Sequence, residues 1–522
     1  MSDIGRGIAS AAGPFLSRRG LIAGAGTALV AGAALGRPAR AEAKDRLVFA
    51  LSSYPPSIRP WQNTGTAAAT VKLMLYRGLL GYDARGEIRG ELAESWRREN
   101  DRTWSFILRN GARFQDGEPV TSDAVRFTFD QILGEKSTAF MKGGFAALIE
   151  KIEPVNARTV RFVLKEPSAT FMYLLASFHC PIISPRSTEA NAVGAGPYRL
   201  VDSERGTRLD LEAFDGFHRQ GRPKTKSLRF VAYPDESLRV AALRAGDVDI
   251  IEYVPWQSMD AIEKSPTLAL DAVDGPFMYL VFNTQQGPFT NAKLRQAVAY
   301  AVRREDIVKA AFFGRGSSLG GLPLPKGSAF SDPELVSHWR TDPARARALL
   351  AEAGMPNGFR ATLLSSAQYG MHKDTAEVVQ QSLASVGIQV ELRLPDWATR
   401  VTLGNRGQYD FAVNGTVGDF NDPDSLTSFL AGGQTASYNR SFGYGNRQLD
   451  ELLAKGRAEL EPEKRKQIYR QMGRLALEDA PLVGLAWRSQ GYAMQKSVKG
   501  FKNLPGFLTF YSGITIEDTE VA

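Results

Sequence analysis

Hydrophobic and polar residues alternate along residues 103–109, and this pattern predicts a β-strand. Trp104, Phe106 and Leu108 would lie on one face of the strand, while polar residues such as Ser105 would lie on the other. An alternation with a period of two residues is what a half-buried strand requires, because successive side chains point to opposite sides of a sheet. The segment therefore predicts a strand that covers a hydrophobic core with one face.

Two turns and a helix are predicted directly after this strand. Asn-Gly at 110–111 and Asp-Gly at 116–117 are dipeptides typical of tight turns. Ser122 can then accept hydrogen bonds from the free amide groups at the start of a helix. Val125 and Phe129 are spaced one helical turn apart, so they would lie on the buried face of that helix.

Residues 361–394 give the clearest supersecondary pattern in the chain. A short apolar strand at 362–364 precedes a helix that has Ala376 and Val379 on one face. Gly387 would end the helix, and apolar residues then alternate along a second strand. This is a βαβ unit, whose crossover should be right-handed. Strand and helix patterns alternate in this way along much of the chain, which predicts an α/β architecture with mixed sheets.

Composition adds two constraints. The 522 residues carry a formal net charge of +8, which is modest for this length, and no block of basic residues suggests nucleic-acid binding. Cys180 is the only cysteine, so the chain cannot form an intramolecular disulfide. We therefore expect packing alone to stabilise the fold.

The first 43 residues look like an export signal. Arg18 and Arg19 stand in the pattern of a twin-arginine (Tat) signal, and a mildly apolar run follows at 21–35. This run is shorter than the roughly 20 apolar residues that a membrane-spanning helix needs. Small residues near 41–43 suit cleavage by a signal peptidase. We predict a Tat signal peptide at 1–43, its removal, and a mature protein in the periplasm.

An ordered series of motifs in the remainder of the chain resembles one family. The motifs are LAESW at 92–96, FQDGEPV at 114–120, GAGPY at 194–198 and GDFNDP at 418–423. Each is weak alone, but together they cover nearly the whole mature chain in the expected order. The sequence resembles the family 5 extracellular solute-binding proteins, which are periplasmic receptors of peptide, opine and nickel importers.

This resemblance implies an α/β fold with two lobes, the periplasmic-binding-protein (clamshell) fold of cluster C type. Lobe 1 would comprise residues 44–273, with an extra subdomain at about 81–184, and would be completed by residues 485–522. Lobe 2 would comprise residues 274–484. The chain would cross between the lobes near 273 and 485, and these crossings would form the hinge.

The function implied by the resemblance is that of the substrate-binding component of an ABC importer. The two lobes would close on a small solute, most simply a peptide, and deliver it to a permease and ATPase complex in the inner membrane. Opines, glycosides and nickel chelates are alternative ligands on the same fold. The protein would act as a monomer, without a cofactor and without binding nucleic acid.

Catalytic motifs are not found in the sequence. It has no nucleophile elbow, phosphate loop or zinc-binding helix motif, and its four histidines are far apart. His179 and Cys180 are neighbours, but on a strand they would point to opposite faces, so a buried structural cysteine is the better interpretation. An exported enzyme remains a remote alternative. We expect no metal site and no catalytic residue.

Four residues are candidates for ligand contacts. The resemblance implies that Asp419 pairs with a free amino group of the ligand, although it could instead cap the turn that follows it. Trp397 stands where related receptors place an aromatic residue at the cleft, and packing is the alternative. Tyr54 follows the first predicted strand, and strand-end loops of α/β proteins face the cleft. Asn283 stands at the predicted entry to lobe 2.

One departure from related receptors concerns the other end of the ligand. Dipeptide receptors carry an arginine for the ligand carboxylate just before the helix of the βαβ unit. Here residues 365–372 read SSAQYGMH, without an arginine. A strict dipeptide site is therefore not predicted, and longer peptides or non-peptide solutes remain open.

Overall fold

The computed structural model describes residues 45–62, 64–188, 191–324 and 328–522. Its strands are β1 (Arg46–Leu51), β2 (Leu80–Tyr82), β3 (Ile88–Gly90), β4 (Ala93–Asn100), β5 (Thr103–Leu108), β6 (Ile149–Asn156), β7 (Thr159–Leu164), β8 (Tyr198–Glu204), β9 (Arg208–Ala213), β10 (Ser227–Ala232), β11 (Ile250–Ile251), β12 (Leu268–Phe282), β13 (Gly316–Ser318), β14 (Arg360–Leu364), β15 (Gln389–Arg393), β16 (Phe411–Thr416), β17 (Leu482–Gln495), β18 (Val498–Lys499) and β19 (Glu520–Val521).

The α-helices lie between and around these strands. They are α1 (Thr66–Leu75), α2 (Ser122–Leu133), α3 (Lys142–Leu148), α4 (Phe171–Ala176), α5 (Glu236–Ala245), α6 (Trp256–Glu263), α7 (Ala292–Ala301), α8 (Arg304–Phe312), α9 (Pro333–Val336), α10 (Pro343–Glu352), α11 (Gly370–Ala384), α12 (Trp397–Asn405), α13 (Thr427–Leu430), α14 (Arg447–Ala458) and α15 (Pro462–Asp479). Three 3-10 segments cover Pro288–Thr290, Pro423–Leu426 and Gly506–Asp518.

One large mixed sheet runs through the molecule in the order β15-β14-β16-β12-β17-β11-β1-β10-β9-β8, with β13 added beside β17. Its two central strands, β12 and β17, are the longest, and they pair with each other over nearly their whole length. On one side of their midpoint their outer neighbours are β16 and β13, and on the other side the neighbour is β11. Two strands thus join two halves of the sheet.

The pairing of β12 with β17 is interrupted where these halves meet. The register shifts between Asp274 and Phe277, and again between Met278 and Tyr279. A bulge of this kind bends a strand and increases its twist. The predicted crossings near 273 and 485 lie within β12 and β17, but the lobe boundaries themselves stay predictions.

A smaller antiparallel sheet of four strands, in the order β4-β5-β7-β6, stands apart from the large sheet. It lies within the range predicted for the extra subdomain. Phe106 of β5 and Phe162 of β7 are fully buried, and their rings meet edge to face at 5.5 Å. Phe129 of α2 packs on Phe162 at 5.1 Å, so the helix covers this sheet as its apolar face predicts.

The local predictions are confirmed in most details. Strands β14 and β15 are parallel and flank α11, which is the predicted βαβ unit. One assignment was wrong. Thr121, not Ser122, caps α2, because its side chain accepts a hydrogen bond from the Ala124 amide. Ser122 is instead the first helical residue, and its hydroxyl donates to the Asn156 carbonyl.

Hydrophobic side chains form separate cores on the two halves of the sheet. Residues of β12, β14, β16 and helices α7, α8, α10 and α11 share one core. Residues of β1, β10, the four-stranded sheet and α1 share another, to which the C-terminal segment 498–521 contributes. A third, smaller core lies around α5 and α6. Each half therefore has its own buried interior, as a lobe requires.

A buried ionic cluster fixes the C-terminal segment to the first half. Glu517 is fully buried and accepts hydrogen bonds from Arg77 at 2.6 Å and from Arg89 at 2.9 Å. Glu91 lies beside the same arginines. Burial alone would raise the pKa of Glu91, but its contact with His218 and the charges of Arg77 and Arg89 bring that pKa well below the ordinary value. These pairs hold together chain segments that are far apart in sequence.

The predicted signal peptide, including Arg18 and Arg19, lies outside the described residues. Among the helices of the described ranges, none is both long enough and apolar enough to span a bilayer.

Candidate functional site

A cavity of about 380 Å³ opens between three distant parts of the chain. The start of α1 and residues 140–179 form one wall, residues 417–420 after β16 form the second, and the 3-10 segment Gly506–Asp518 forms the third. Its aromatic lining comprises Phe140, Tyr173, Phe178, Phe420, Phe507, Phe510 and Tyr511. The volume is within the range of small-molecule sites, about 300–1,000 Å³.

Several rings of the aromatic lining pack on one another. Tyr173 and Phe420 are stacked in parallel with 5.2 Å between their ring centres, which joins the first wall to the second. Phe178 and Tyr511 meet edge to face at 5.0 Å and join the first wall to the third. Aromatic side chains that line a cavity can attract a cation through their ring faces.

Asp419 is the acidic residue of this cavity. It is accessible to water, yet protein surrounds it closely enough that burial, together with the negative charge of Asp424, raises its pKa from 3.8 to about 6. No group in the described part of the chain forms a hydrogen bond or an ion pair with the Asp419 carboxylate. A carboxylate in this state favours a cationic partner.

The alternative role of Asp419 as a turn cap is filled by another residue. The Asp422 side chain accepts the hydrogen bond from the Asp424 amide at the start of the 3-10 segment Pro423–Leu426. Asp422 also forms a bidentate pair with Arg465, with both N···O distances at 2.6 Å. Asp424 binds Arg457 at 3.0 Å. Asp419 differs from its two neighbours in having no such partner among the described residues.

His179 supplies a second polar group to the cavity wall. It is 7% exposed, and its Nδ1 atom meets no hydrogen-bond partner within the described ranges. Burial, followed by the nearby charge of Lys72, lowers its pKa to about 3. The imidazole is therefore neutral at neutral and mildly acidic pH, and it can offer a hydrogen bond without adding charge.

Trp397 lies away from this cavity, in an aromatic group on the second half of the sheet. It starts α12, and its ring lies 5.4 Å from that of Tyr369, 5.2 Å from that of His372 and 5.7 Å from that of Tyr438. The Arg400 guanidinium lies over it at 5.4 Å. Trp397 is half-buried, so part of its ring is still accessible.

The structure does not bring Tyr54 and Asn283 to the cavity lining. Tyr54 packs against the core of the first half. Asn283 is fully buried, donates to the Gly407 carbonyl at 2.8 Å and accepts from the amides of Gln285 and Gln286. Its amide group thus holds the turn that ends β12, and we leave Asn283 out of the site.

The GAG turn at 194–196 approaches protein and not ligand. A Cβ atom at Gly194 would lie 2.2 Å from the Leu75 carbonyl oxygen, and one at Gly196 would lie 2.3 Å from that of Met74. Only glycine permits this contact with the end of α1. The turn therefore helps to place α1, whose first residue, Thr66, lines the cavity.

Sequence reasoning missed most of the cavity lining. Phe420 follows Asp419 and is only 6% exposed, yet it lines the cavity. Phe507, Phe510 and Tyr511 form an aromatic run near the C-terminus that could have drawn attention. His179 was noted in the sequence only as a neighbour of Cys180, since only the folded chain shows that it lines the cavity. Within the described residues, no group of three His, Cys, Asp or Glu side chains could hold a metal ion.

Comparison with known sequences gives consistent relatives. A family profile described as bacterial extracellular solute-binding proteins, family 5 Middle, matches residues 87–438. The glutathione-binding proteins GsiB of Shigella flexneri and of Escherichia coli K12 are each 29% identical to this chain. Each match covers 97% of this chain and 99% of the relative.

Solved structures agree with these relatives. The periplasmic binding protein AgaA from A. tumefaciens R10, solved with agropinic acid, is 39% identical, with a TM-score of 0.81 over 91% of this chain and 99% of AgaA. DppA from Helicobacter pylori, solved with the peptide STSA, is 23% identical with a TM-score of 0.78, over 91% of this chain and 98% of DppA. The two-lobed α/β fold expected from the sequence is confirmed by these structures.

Proposed function

The chain belongs to the family 5 extracellular solute-binding proteins of ABC importers, and on that premise we propose that it captures a small solute with a protonated amine between its lobes. The amine would bind the Asp419 carboxylate, and the aromatic rings of the cavity would cover the adjoining part of the solute. The single observation that carries this proposal is the state of Asp419. It is an acidic group with a raised pKa in an aromatic cavity, without a cation beside it in the described chain.

The physical reason is the cost of an unpaired charge near the protein interior. A carboxylate that is partly removed from water loses solvation, and a protein group could have compensated it. A ligand ammonium would restore the balance through a charge-assisted hydrogen bond. Aromatic faces would add cation–π attraction, and the neutral His179 would add a hydrogen bond.

The relatives narrow the class of ligand. GsiB is described as binding glutathione, AgaA was solved with agropinic acid and DppA with a peptide. We propose a short peptide or an amino-acid derivative of similar size. The cavity volume supports a compact group at Asp419, and a longer ligand would extend from it along the cleft.

Capture would proceed by closure of the two lobes. The paired strands β12 and β17 support a hinge near 273 and 485, because among the described strands only these two join the halves of the large sheet, and their register shifts at the junction. Ligand contacts made by both lobes would favour the closed state. The closed protein would then deliver the solute to a permease and ATPase complex in the inner membrane, as family 5 proteins do.

Several further properties belong to the same proposal. The protein would work in the periplasm after removal of its Tat signal, as a monomer and as a receptor that does not transform its ligand. The relatives support the location and the non-enzymatic role, since they are solute-binding proteins. Native mass spectrometry of the mature protein at several concentrations would test the monomeric state.

The first experiment is native mass spectrometry of protein purified from periplasm, followed by release and identification of the bound molecules. We expect one or more amine-bearing compounds, either a series of peptides or a single derivative. The identified compound is then titrated calorimetrically into Asp419→Asn. Loss of one charge-assisted hydrogen bond predicts about a 10- to 100-fold weaker affinity.

Glu391→Gln is the matched control, because it removes a carboxylate that lies exposed on the edge strand β15. It should bind like the wild type. Unchanged affinity in Asp419→Asn for a compound with a free amine would refute the role of Asp419, and a bound compound without any amine would refute the ligand class.

A further inference from the structure

We propose that Arg488 forms an anion subsite, which binds a carboxylate of the solute and makes the preferred ligand a zwitterion. This inference rests on the proposed function and deepens it, because it concerns the other end of the same ligand. The inference depends on the position of Arg488 at the junction of the two halves, on its lack of a described acidic partner and on the positive charge around it.

Arg488 lies on β17 at the junction of the two halves. It follows Trp487, which pairs with Phe277 just after the register shift, and it lies opposite Gly316 of β13. The side chain is 4% exposed. A guanidinium at this point can meet groups from both lobes, because β17 continues into each of them.

No acidic residue in the described part of the chain pairs with the guanidinium. Its Nη1 atom contacts the Met371 sulfur at 3.3 Å, and the Tyr253 hydroxyl lies beside it. Its Nε atom has no hydrogen-bond partner in the described part of the chain, and no described carboxylate forms an ion pair with it. A thioether and a phenol do not neutralise a buried positive charge, so this arginine is under-compensated.

Positive charge is concentrated around the same point. Arg400 of α12 is fully buried and also has no described acidic partner; its guanidinium lies over Trp397 and Tyr438. Arg400 and Arg488 both face His372, whose pKa is lowered to about 3 by burial and then by these two charges. Two buried arginines beside a neutral histidine form a region of positive potential that attracts an anion.

Tyr253 connects this region to the cavity of Asp419. Its ring is stacked on that of Phe510 with 5.7 Å between ring centres, and its hydroxyl lies 3.5 Å from that of Thr66. Phe510 and Thr66 both line the cavity. Tyr253 thus contacts both the lining of the acidic cavity and the Arg488 guanidinium. An extended zwitterion could place its ammonium at Asp419 and its carboxylate at the Arg488 fork.

Two variants test this subsite. Arg488→Met removes the charge and keeps an unbranched side chain beside Met371, and Arg488→Lys keeps the charge but removes the planar fork. Arg406→Met is the control, because Arg406 is an exposed arginine at the end of α12. Thermal unfolding should confirm that all three variants fold.

The first probe is the mixture of small molecules released from wild-type protein, used untreated and after methyl esterification of its carboxyl groups. Rebinding is measured by native mass spectrometry. The second probe is the tetrapeptide STSA as the free acid and as the C-terminal amide, titrated calorimetrically. We expect masking of the carboxylate to weaken wild-type binding by about 10- to 100-fold, and to change binding to Arg488→Met by less than about threefold. For Arg488→Lys, the loss of affinity on masking the carboxylate should lie between these two values. For Arg406→Met it should equal that of the wild type.

The outcomes separate the two proposals. Equal wild-type binding of esterified and untreated mixtures would overturn the anion subsite and leave the receptor proposal intact. So would a masking penalty that persists in Arg488→Met, since the carboxylate would then bind elsewhere. A wild-type protein that releases no small molecule and binds neither form of STSA would contradict the proposed ligand class, and the subsite with it.

Discussion

The loop that follows β16 places aspartates in two different surroundings. On the side away from the cavity, Asp422 and Asp424 are buried, and each meets an arginine, Arg465 and Arg457 respectively. On the cavity side, Asp419 lines the aromatic cavity and meets none among the described residues. The same residue type thus serves structure where its charge is balanced within the protein, and is available to a ligand where it is not.

This difference separates stability from binding in a way that substitutions can measure. The protein loses stability when one partner of a balanced ion pair is removed, because the other charge is then left buried without a countercharge. The protein loses little stability when an unbalanced charge is removed, because no buried countercharge is left behind. The following predictions run from the largest expected change to the smallest.

Asp422→Asn should cause the largest loss of stability, about 3–5 kcal/mol, because it leaves the Arg465 guanidinium buried without its bidentate acceptor. Urea unfolding followed by circular dichroism measures the change. The double variant Asp422→Asn/Arg465→Met removes both charges and should recover much of the loss. If the single variant unfolds like the wild type, this side of the loop does not depend on the pair.

Asp424→Asn should cause a smaller loss, about 1–2 kcal/mol. Arg457 is more than one-third exposed, so water can replace part of what the carboxylate supplied. The same unfolding experiment gives the value. A loss equal to that of Asp422→Asn would show that exposure of the arginine does not decide the cost.

Asp419→Asn should not lower the stability of the ligand-free protein, and near neutral pH it should raise that stability slightly because the unfavourable charge of Asp419 is removed, while it abolishes most of the binding described above. The reason is that the carboxylate has no described partner to lose. Thermal unfolding with and without the released compound measures both effects. If Asp419→Asn lost much stability without ligand, Asp419 would have a structural role like that of Asp422 and Asp424.

The pH dependence of the free energy of unfolding should be the smallest of these effects. Its sign follows from the pKa of Asp419. Because the Asp419 pKa is raised from 3.8 to about 6, the folded protein holds this proton more tightly than the unfolded chain. Its contribution to stability should therefore fall as pH rises through this window, and the slope should be absent in Asp419→Asn. Affinity for a cationic ligand should rise over the same window, since binding requires the ionised form. A stability difference between wild type and variant that does not vary with pH would contradict the raised pKa.

Local structure was largely predictable from the sequence. The alternating residues of β5 and the βαβ unit around α11 depend on residues that are close along the chain, and the structure agrees with both predictions. The order of motifs identified the family, which the comparisons confirm. The cap of α2 was wrong by one residue, because Thr121 and Ser122 are both capable of capping and only backbone geometry distinguishes them.

The candidate site was predictable only in part. Asp419 was found because it stands in a recognisable motif, and the cavity around it supports its proposed role. Asn283 was expected at the ligand because it stands at the predicted entry to lobe 2, but the fold directs its amide into a turn. Arg488 carries no local signal at all, since nothing in its neighbours along β17 indicates that it lacks a carboxylate.

The sequence by itself determined the class of fold, the family and the positions of most helices and strands, because periodicity, capping and turn chemistry act between residues that are close along the chain. Only the tertiary structure decided which charges are balanced. Whether Asp422 meets Arg465, or Asp419 and Arg488 meet no described countercharge, depends on segments far apart in sequence that pack side by side. The electrostatic energy of a buried charge is set by distance and solvation in space, and the order of residues records neither.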